Sequence, residues 1–181
     1  LCSGSSNTEM VEKLCEAGIV TSPIVRESML ATDRAHFCVQ STPKKAKAKK
    51  ESSSYAYGPY ADAPQAIGNK VTISAPHIHA TALQALSDVV TKPGSRVLDV
   101  GSGSGVLVAC FARMAGPGSK ILGVEVVANL VPISIDNLTR NGLRVGVVSG
   151  AESGSGTQTE DVQISIRHGD GWAGSPQDGP F

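Results

Sequence analysis

Apolar positions first recur at helical spacing near the start of the chain. Val11, Leu14 and Cys15 share one face, Thr8 stands where a cap would, and Gly18 is placed to end the helix. Ser22 followed by Pro23 opens a second helix that turns Ile24, Val25, Met29 and Leu30 inward. The mixed segment Asp33-Arg34-Ala35-His36-Phe37 reads as an anchored loop with Phe37 in the core. Further on, Gln65-Ala66-Ile67 and Val71-Thr72-Ile73 flank Gly68-Asn69, which predicts a small hairpin with a tight turn. A helix follows directly, with Ser74 as its N-cap and Pro76 in its first turn, where a missing N–H is harmless. It buries Ala80, Leu83, Leu86 and Val90 until Lys92-Pro93-Gly94 stops it.

Beyond residue 92 the period alternates between strand and helix. Arg96 to Val100 reads as a short apolar strand, and Val106 to Ala115 as a helix broken by Gly116-Pro117-Gly118. Lys120 to Val126 is the next strand, and Asn129 to Asn141 a helix closed by Gly142. Val162 to Arg167 is a third strand leading to His168-Gly169-Asp170-Gly171. This alternation predicts an α/β fold with a parallel sheet. Two stretches fall out of the pattern. The segment at about 41–58, with Lys44, Lys45, Lys47, Lys49 and Lys50 among Ser, Ala and Tyr, is too polar to bury and reads as a disordered insertion. A nuclear-localisation or nucleic-acid role for its KKAKAKK run competes with a plain solvated loop. The Gly/Ser-rich, acidic stretch at about 149–161 reads as a flexible connection. The chain therefore divides into 1–91, N-terminal helices and hairpin, and 92–181, an α/β domain.

Charge and composition change this picture little. The 181 residues carry 16 basic and 16 acidic side chains, so no global field draws in nucleic acid. No apolar run approaches the roughly 20 residues of a bilayer span, and no membrane association is expected. Cys2, Cys15, Cys38 and Cys110 lie far apart without a C-x-x-C, which reads as free thiols in a reducing, cytoplasmic compartment and not as a zinc site. The chain opens with Leu1 and not Met, so its natural start is expected to lie upstream.

The chemistry concentrates at Val97-Leu98-Asp99-Val100-Gly101-Ser102-Gly103-Ser104-Gly105, an apolar strand running into a glycine turn that opens a helix. Only where no Cβ intervenes can a ligand touch backbone, and a helix start offers free N–H groups. The dinucleotide pattern G-x-G-x-x-G/A fails, because counting from Gly101 puts Val106 last. A P-loop would need Gly-Lys-Ser/Thr, which is absent, and a nucleophile elbow would need Ser where Gly103 stands. What remains is an acid before the turn, Asp99, and a second acid ending the next strand, Glu125, able to accept hydrogen bonds from ribose hydroxyls. This combination resembles the class I S-adenosylmethionine methyltransferases, whose Rossmann-like sheet is thereby implied, here preceded by a helical and hairpin extension.

Met29 to Arg34, Pro64 to Gly68, Thr72-Ile73-Ser74-Ala75-Pro76-His77-Ile78-His79-Ala80 and Leu98 to Met114 then narrow the resemblance to the protein-L-isoaspartate O-methyltransferases. His168-Gly169-Asp170-Gly171-Trp172 is similar to the segment after that family's third strand. The resemblance implies S-adenosyl-L-methionine as cofactor. It implies that Val71, Thr72, Ile73, Ser74 and His79 line the cofactor and acceptor pocket. Asp99, Gly101 and Gly103 would hold the methionine end, Glu125 and Val126 the ribose, Asp170 and Gly171 the adenine. Ser74 would be the catalytic residue; its alternative reading is a helix cap. His77 and His79 are two apart and do not share a helix face, so no metal site is expected.

The acceptor implied by the resemblance is the free carboxylate of L-isoaspartyl and D-aspartyl residues in damaged proteins, with methylation opening their repair. Such proteins and peptides are the expected partners of a monomeric enzyme; nucleic acid and small molecules are the rival acceptors, and a non-enzymatic protein that only binds the cofactor is the rival class. Pro180-Phe181 falls where the family begins its fourth strand. The sheet is therefore expected to stop after its third strand, leaving Arg96 to Val100 as an exposed edge and the isolated fragment poorly stable and inactive.

Overall fold

The computed structural model describes residues 2–39, 58–146, 161–176 and 179–181. The basic run and nearly all of the acidic Gly/Ser stretch lie outside the described residues.

Helix α1 (Asn7–Glu16) is capped by Ser6, not Thr8: its side chain accepts from the Glu9 N–H at 3.2 Å, while the Glu9 carboxylate reaches back to the Ser5 N–H at 2.7 Å. The Ser-x-x-Glu spacing of a capping box was the local signal for this start. Helix α2 (Pro23–Ala31) buries Val25 and Met29 and leads into a 3-10 turn, Arg34–Phe37, whose Asp33 carboxylate accepts from the Ala35 N–H at 2.9 Å and the Tyr60 hydroxyl at 2.9 Å. Phe37 is fully buried.

Strands β1 (Gln65–Gly68) and β2 (Val71–Ile73) pair antiparallel. Their turn is centred one residue later than the dipeptide pattern suggests, because Asn69 and Lys70 both take positive φ, 50° and 62°. That conformation matches the natural twist of a hairpin. Helix α3 (Pro76–Val90) starts with Ala75 as N-cap and Pro76 in its first turn. Ser74 is therefore not the cap. The inner face of α3 is Ala80, Leu83, Ser87 and Val90; Leu86 sits at the margin of that face and is 43% exposed.

The α/β part runs β3 (Arg96–Val100), α4 (Val106–Met114), β4 (Lys120–Glu125), α5 (Leu130–Arg140), β5 (Val145–Gly146) and β6 (Gln163–His168). All sheet pairings are parallel, in the order β3-β4-β6-β5. The described sheet thus has four strands and not three. The two-residue β5 was too short to show a period, and it exists because β6 offers it a partner. Strand β3 lies at one edge of the sheet. Helix α4 is apolar almost all round, burying Val106, Val108, Ala109, Cys110, Phe111, Ala112 and Met114, because it is wedged between the sheet and helices α2 and α3. A single apolar cluster therefore runs from Met10, Leu14 and Val25 through Leu83 and Phe111 to Ile121, Leu138 and Ile164. It fixes the hairpin and α3 against the carboxyl end of β3, where the site lies. Among the described residues no helix is long and apolar enough to cross a membrane.

Candidate functional site

The turn after β3 bends because Gly101, Gly103 and Gly105 all take positive φ, 78°, 56° and 91°. At Gly103 space is short as well: a Cβ there would stand 3.1 Å from Ile67 Cδ1 of the hairpin. The turn is tied down from below. Gly101 and Ser102 donate from N–H to the Val124 carbonyl at 2.8 and 3.2 Å, and Asn137 Nδ2 of α5 donates to the Ser104 carbonyl at 3.1 Å.

Glu125 ends β4 directly behind this bend and is only 3% exposed. Its two carboxylate oxygens accept from the Gly103 N–H and the Val127 N–H, each at 2.8 Å. The acid therefore spends one bond on each oxygen holding the backbone of the glycine turn and of the segment after β4. It lines neither of the two cavities described next, although each oxygen keeps a further lone pair.

A cavity of about 210 Å³ opens between the hairpin with α3 and the glycine turn. Thr72, Ile73, Ser74 and His79 form one wall, and Asp99, Gly101, Ser102, Gly103 and Ser104 the other. A second cavity of about 630 Å³ adjoins it across Val100 and Gly101, lined by Val126, Asp170, Gly171 and Trp172. Chain segments some 30 to 100 residues apart thus meet at one place. Val71, by contrast, packs against the apolar core and lines neither cavity. Gly171 is needed for close approach: a Cβ on it would run into the Val100 side chain. Asp170 caps the 3-10 turn Gly171–Ala173 by accepting from the Trp172 N–H at 3.0 Å. That leaves Trp172 98% exposed over the second cavity.

Burial acts in opposite senses on the two walls. It raises the half-buried Asp99 carboxyl to about 6, with the Glu125 carboxylate adding to the shift. It drives the His79 ring down to about 3, helped by the Arg34 guanidinium. His79 is therefore neutral at physiological pH and too weak a base to take a proton there. The Ser74 side chain is exposed to the cavity and makes no hydrogen bond within the described residues, while its carbonyl is held by Arg34 Nη2 at 2.6 Å. Two hydroxyls of the glycine turn, Ser102 and Ser104, are buried and find no hydrogen-bond partner among the described residues. Buried hydroxyls without partners, beside an acid, suit a polar, partly cationic ligand. Ser102, Ser104, Trp172 and Arg34 were not among the sequence-derived site residues. The serines sat in plain view inside the glycine motif, whereas nothing local marked Arg34 as buried.

Known proteins resemble this chain in sequence and in fold. The family model for protein-L-isoaspartate(D-aspartate) O-methyltransferase matches residues 5–181. A protein-L-isoaspartate O-methyltransferase of Triticum aestivum is 37% identical over 175 residues, 97% of this chain and 64% of that protein. Protein-L-isoaspartate O-methyltransferase 1 of Arabidopsis thaliana is 44% identical over 134 residues, 74% of this chain and 51% of that protein. The chain thus spans between half and two thirds of the length of these relatives. Among solved structures, a protein-L-isoaspartate O-methyltransferase of Plasmodium falciparum in complex with S-adenosyl-L-homocysteine superposes with a TM-score of 0.60 at 32% identity, covering 89% of this chain and 62% of that one. With the α/β sheet, the glycine turn and the hairpin wall in place, the chain belongs to the protein-L-isoaspartate(D-aspartate) O-methyltransferase family.

Proposed function

We propose that this chain carries the cofactor and acceptor pocket of an enzyme that moves a methyl group from S-adenosyl-L-methionine to the free carboxylate of L-isoaspartyl and D-aspartyl residues in damaged proteins. The observation that carries this reading is the shared cavity in which Thr72, Ile73, Ser74 and His79 face Asp99 and the glycine turn. Asp99, Ser102, Gly103 and Ser104 would hold the methionine end. Glu125 would act by fixing the turn as well as through its spare lone pairs toward the ribose. Val126, Asp170, Gly171 and Trp172 would take the adenine. When bound, the cofactor supplies an electrophilic methyl on a cationic sulfur.

The chain's own residues have a modest task. A carboxylate acceptor, with an ordinary pKa of about 4, is already ionised at neutral pH, so no base is required. This fits a pocket whose histidine is held neutral and non-basic. Ser74 is free of helix-capping and can donate its hydroxyl proton to one acceptor oxygen, leaving the other to react. Alignment and removal of water from the acceptor are the contributions left to the walls. The substrate proteins are damaged chains presenting such residues, and the enzyme is read as a cytoplasmic monomer that does not act on nucleic acid.

The test is to incubate the full-length protein with methyl-labelled cofactor and an isoaspartyl peptide, beside its normal aspartyl twin and an RNA. Alkali-labile methanol from the isoaspartyl peptide alone is the expected result. Label on the RNA, or cofactor binding without any ester, would overturn the reading.

A further inference from the structure

Arg34 is 2% exposed, yet among the described residues it forms no ion pair, and the Asp62 carboxylate acts on it only from beyond contact distance. Its Nε donates to the Pro59 carbonyl at 2.9 Å, Nη2 donates to the Ser74 carbonyl at 2.6 Å, and Nη1 lies 3.4 Å from His79 Nδ1. Among the described residues no carboxylate forms an ion pair with it. A buried cation whose direct contacts are dipoles is costly, burial here outweighs the pull of Asp62, and the cost falls when an anion comes close. The two groups it grips, Ser74 and His79, both belong to the hairpin wall of the 210 Å³ cavity. A guanidinium can only donate, so His79 Nδ1 accepts and the ring proton sits on Nε2. The wall across from it carries Asp99, with Glu125 behind the turn. The cavity is therefore bipolar, acid on one side and cationic on the other.

We propose that Arg34 is a positioning residue that tunes this cavity to receive a carboxylate, by charging the hairpin wall from behind and by fixing Ser74 and His79 as hydrogen-bond donors. The inference rests on the function proposed above. The carboxylate belongs either to the acceptor residue or to the methionine moiety of the cofactor, and the experiment separates the two.

The full chain is used throughout. Imidazole nitrogen NMR of the wild type should show His79 as the Nε2–H tautomer, unprotonated between about pH 5 and 7. An Nδ1–H tautomer would overturn the proposal without any variant. Calorimetry then compares S-adenosylhomocysteine with its decarboxylated analogue in wild type, Arg34→Met and Arg34→Lys. If the cofactor's carboxylate is the one received, the wild type prefers the carboxylated compound by about tenfold or more and Arg34→Met erases the preference. If the acceptor's is received, both affinities hold, while the KM of an isoaspartyl peptide and its binding constant weaken about tenfold with kcat moving less. Arg34→Lys keeps the charge and should recover part of either loss; it carries the comparison should Arg34→Met not fold. A folded Arg34→Met whose ligand preference and peptide affinity both stay within about twofold of wild type overturns the proposal. A wild type that binds the cofactor product but methylates no isoaspartyl peptide would defeat the proposed function, and the tautomer and ligand preference would still decide on Arg34.

Discussion

The two walls of the cavity are built in different ways. The glycine-turn wall is local: residues 99–105 are contiguous, their shape follows from positive φ at three glycines, and Glu125 fastens the turn through one backbone N–H. The hairpin wall is assembled at long range. Ser74 and His79 owe their placement to Arg34, 40 and 45 residues earlier in the chain, and to the packing of α3 on α4. The first wall fails when its own backbone, or one of the few groups of β4 and α5 that tie it down, is disturbed. The second keeps its backbone and fails when a distant contact is lost. Charge follows the same division, since one burial effect holds an acid partly protonated on the first wall and a histidine neutral on the second.

The largest effect is expected where the local wall is pinned. Glu125→Ala leaves the Gly103 and Val127 N–H groups without their acceptor, which should destabilise the chain by about 3 kcal/mol and abolish S-adenosylhomocysteine binding. Urea unfolding and calorimetry measure both, and a variant of unchanged stability would show that the turn holds itself.

Ser74→Ala tests the other wall. It should lower kcat by roughly 10- to 100-fold while leaving cofactor affinity unchanged, as loss of a single orienting donor does. Retention of wild-type turnover would assign the exposed hydroxyl no role.

The opposed titrations give a finer contrast. Folding raises Asp99 from its ordinary value of 3.8 to about 6, so its contribution to stability is fully present below 3.8 and lost as pH rises through 6. Folding lowers His79 from 6.5 to about 3, so its contribution is present above 6.5 and lost as pH falls toward 3. Relative to wild type, Asp99→Asn should therefore make stability climb more steeply with pH between about 4 and 6, and His79→Gln less steeply, each by at most about 1 kcal/mol per pH unit. Denaturation curves across that window check the signs, and slopes that move together would break the contrast.

The smallest effect is expected outside both walls. Arg140 and Asp136 form an exposed pair on α5 at 2.7 Å, and Arg140→Ala should change stability by less than about 0.5 kcal/mol and leave ligand affinity alone.

Legibility from sequence follows the same line between local and distant. The glycine turn, the acid after β4 and the alternation of strands and helices could be read because each is set by residues within one or two turns of chain. Ser74 shows where such reading stops. A serine two residues before a proline looks like a helix cap, but the chain stays extended for one residue more and Ala75 takes that position. The direction of Glu125 could not be read either: an acid at a strand end points to ligand or to backbone according to which N–H groups the fold brings near. Strand β5 and the exposure of Leu86 were likewise decided by neighbours and not by pattern.

By itself, then, the sequence determined the order of elements, the bend after β3 and the chemical types available at it, because backbone preference and hydrophobic period act over a few residues. Only the tertiary structure decided that Arg34 is buried with no ion pair among the described residues, that His79 is neutral and that Ser74 is left free to meet a ligand. Burial and electrostatic coupling depend on what lies across space, and no window along the chain contains that information.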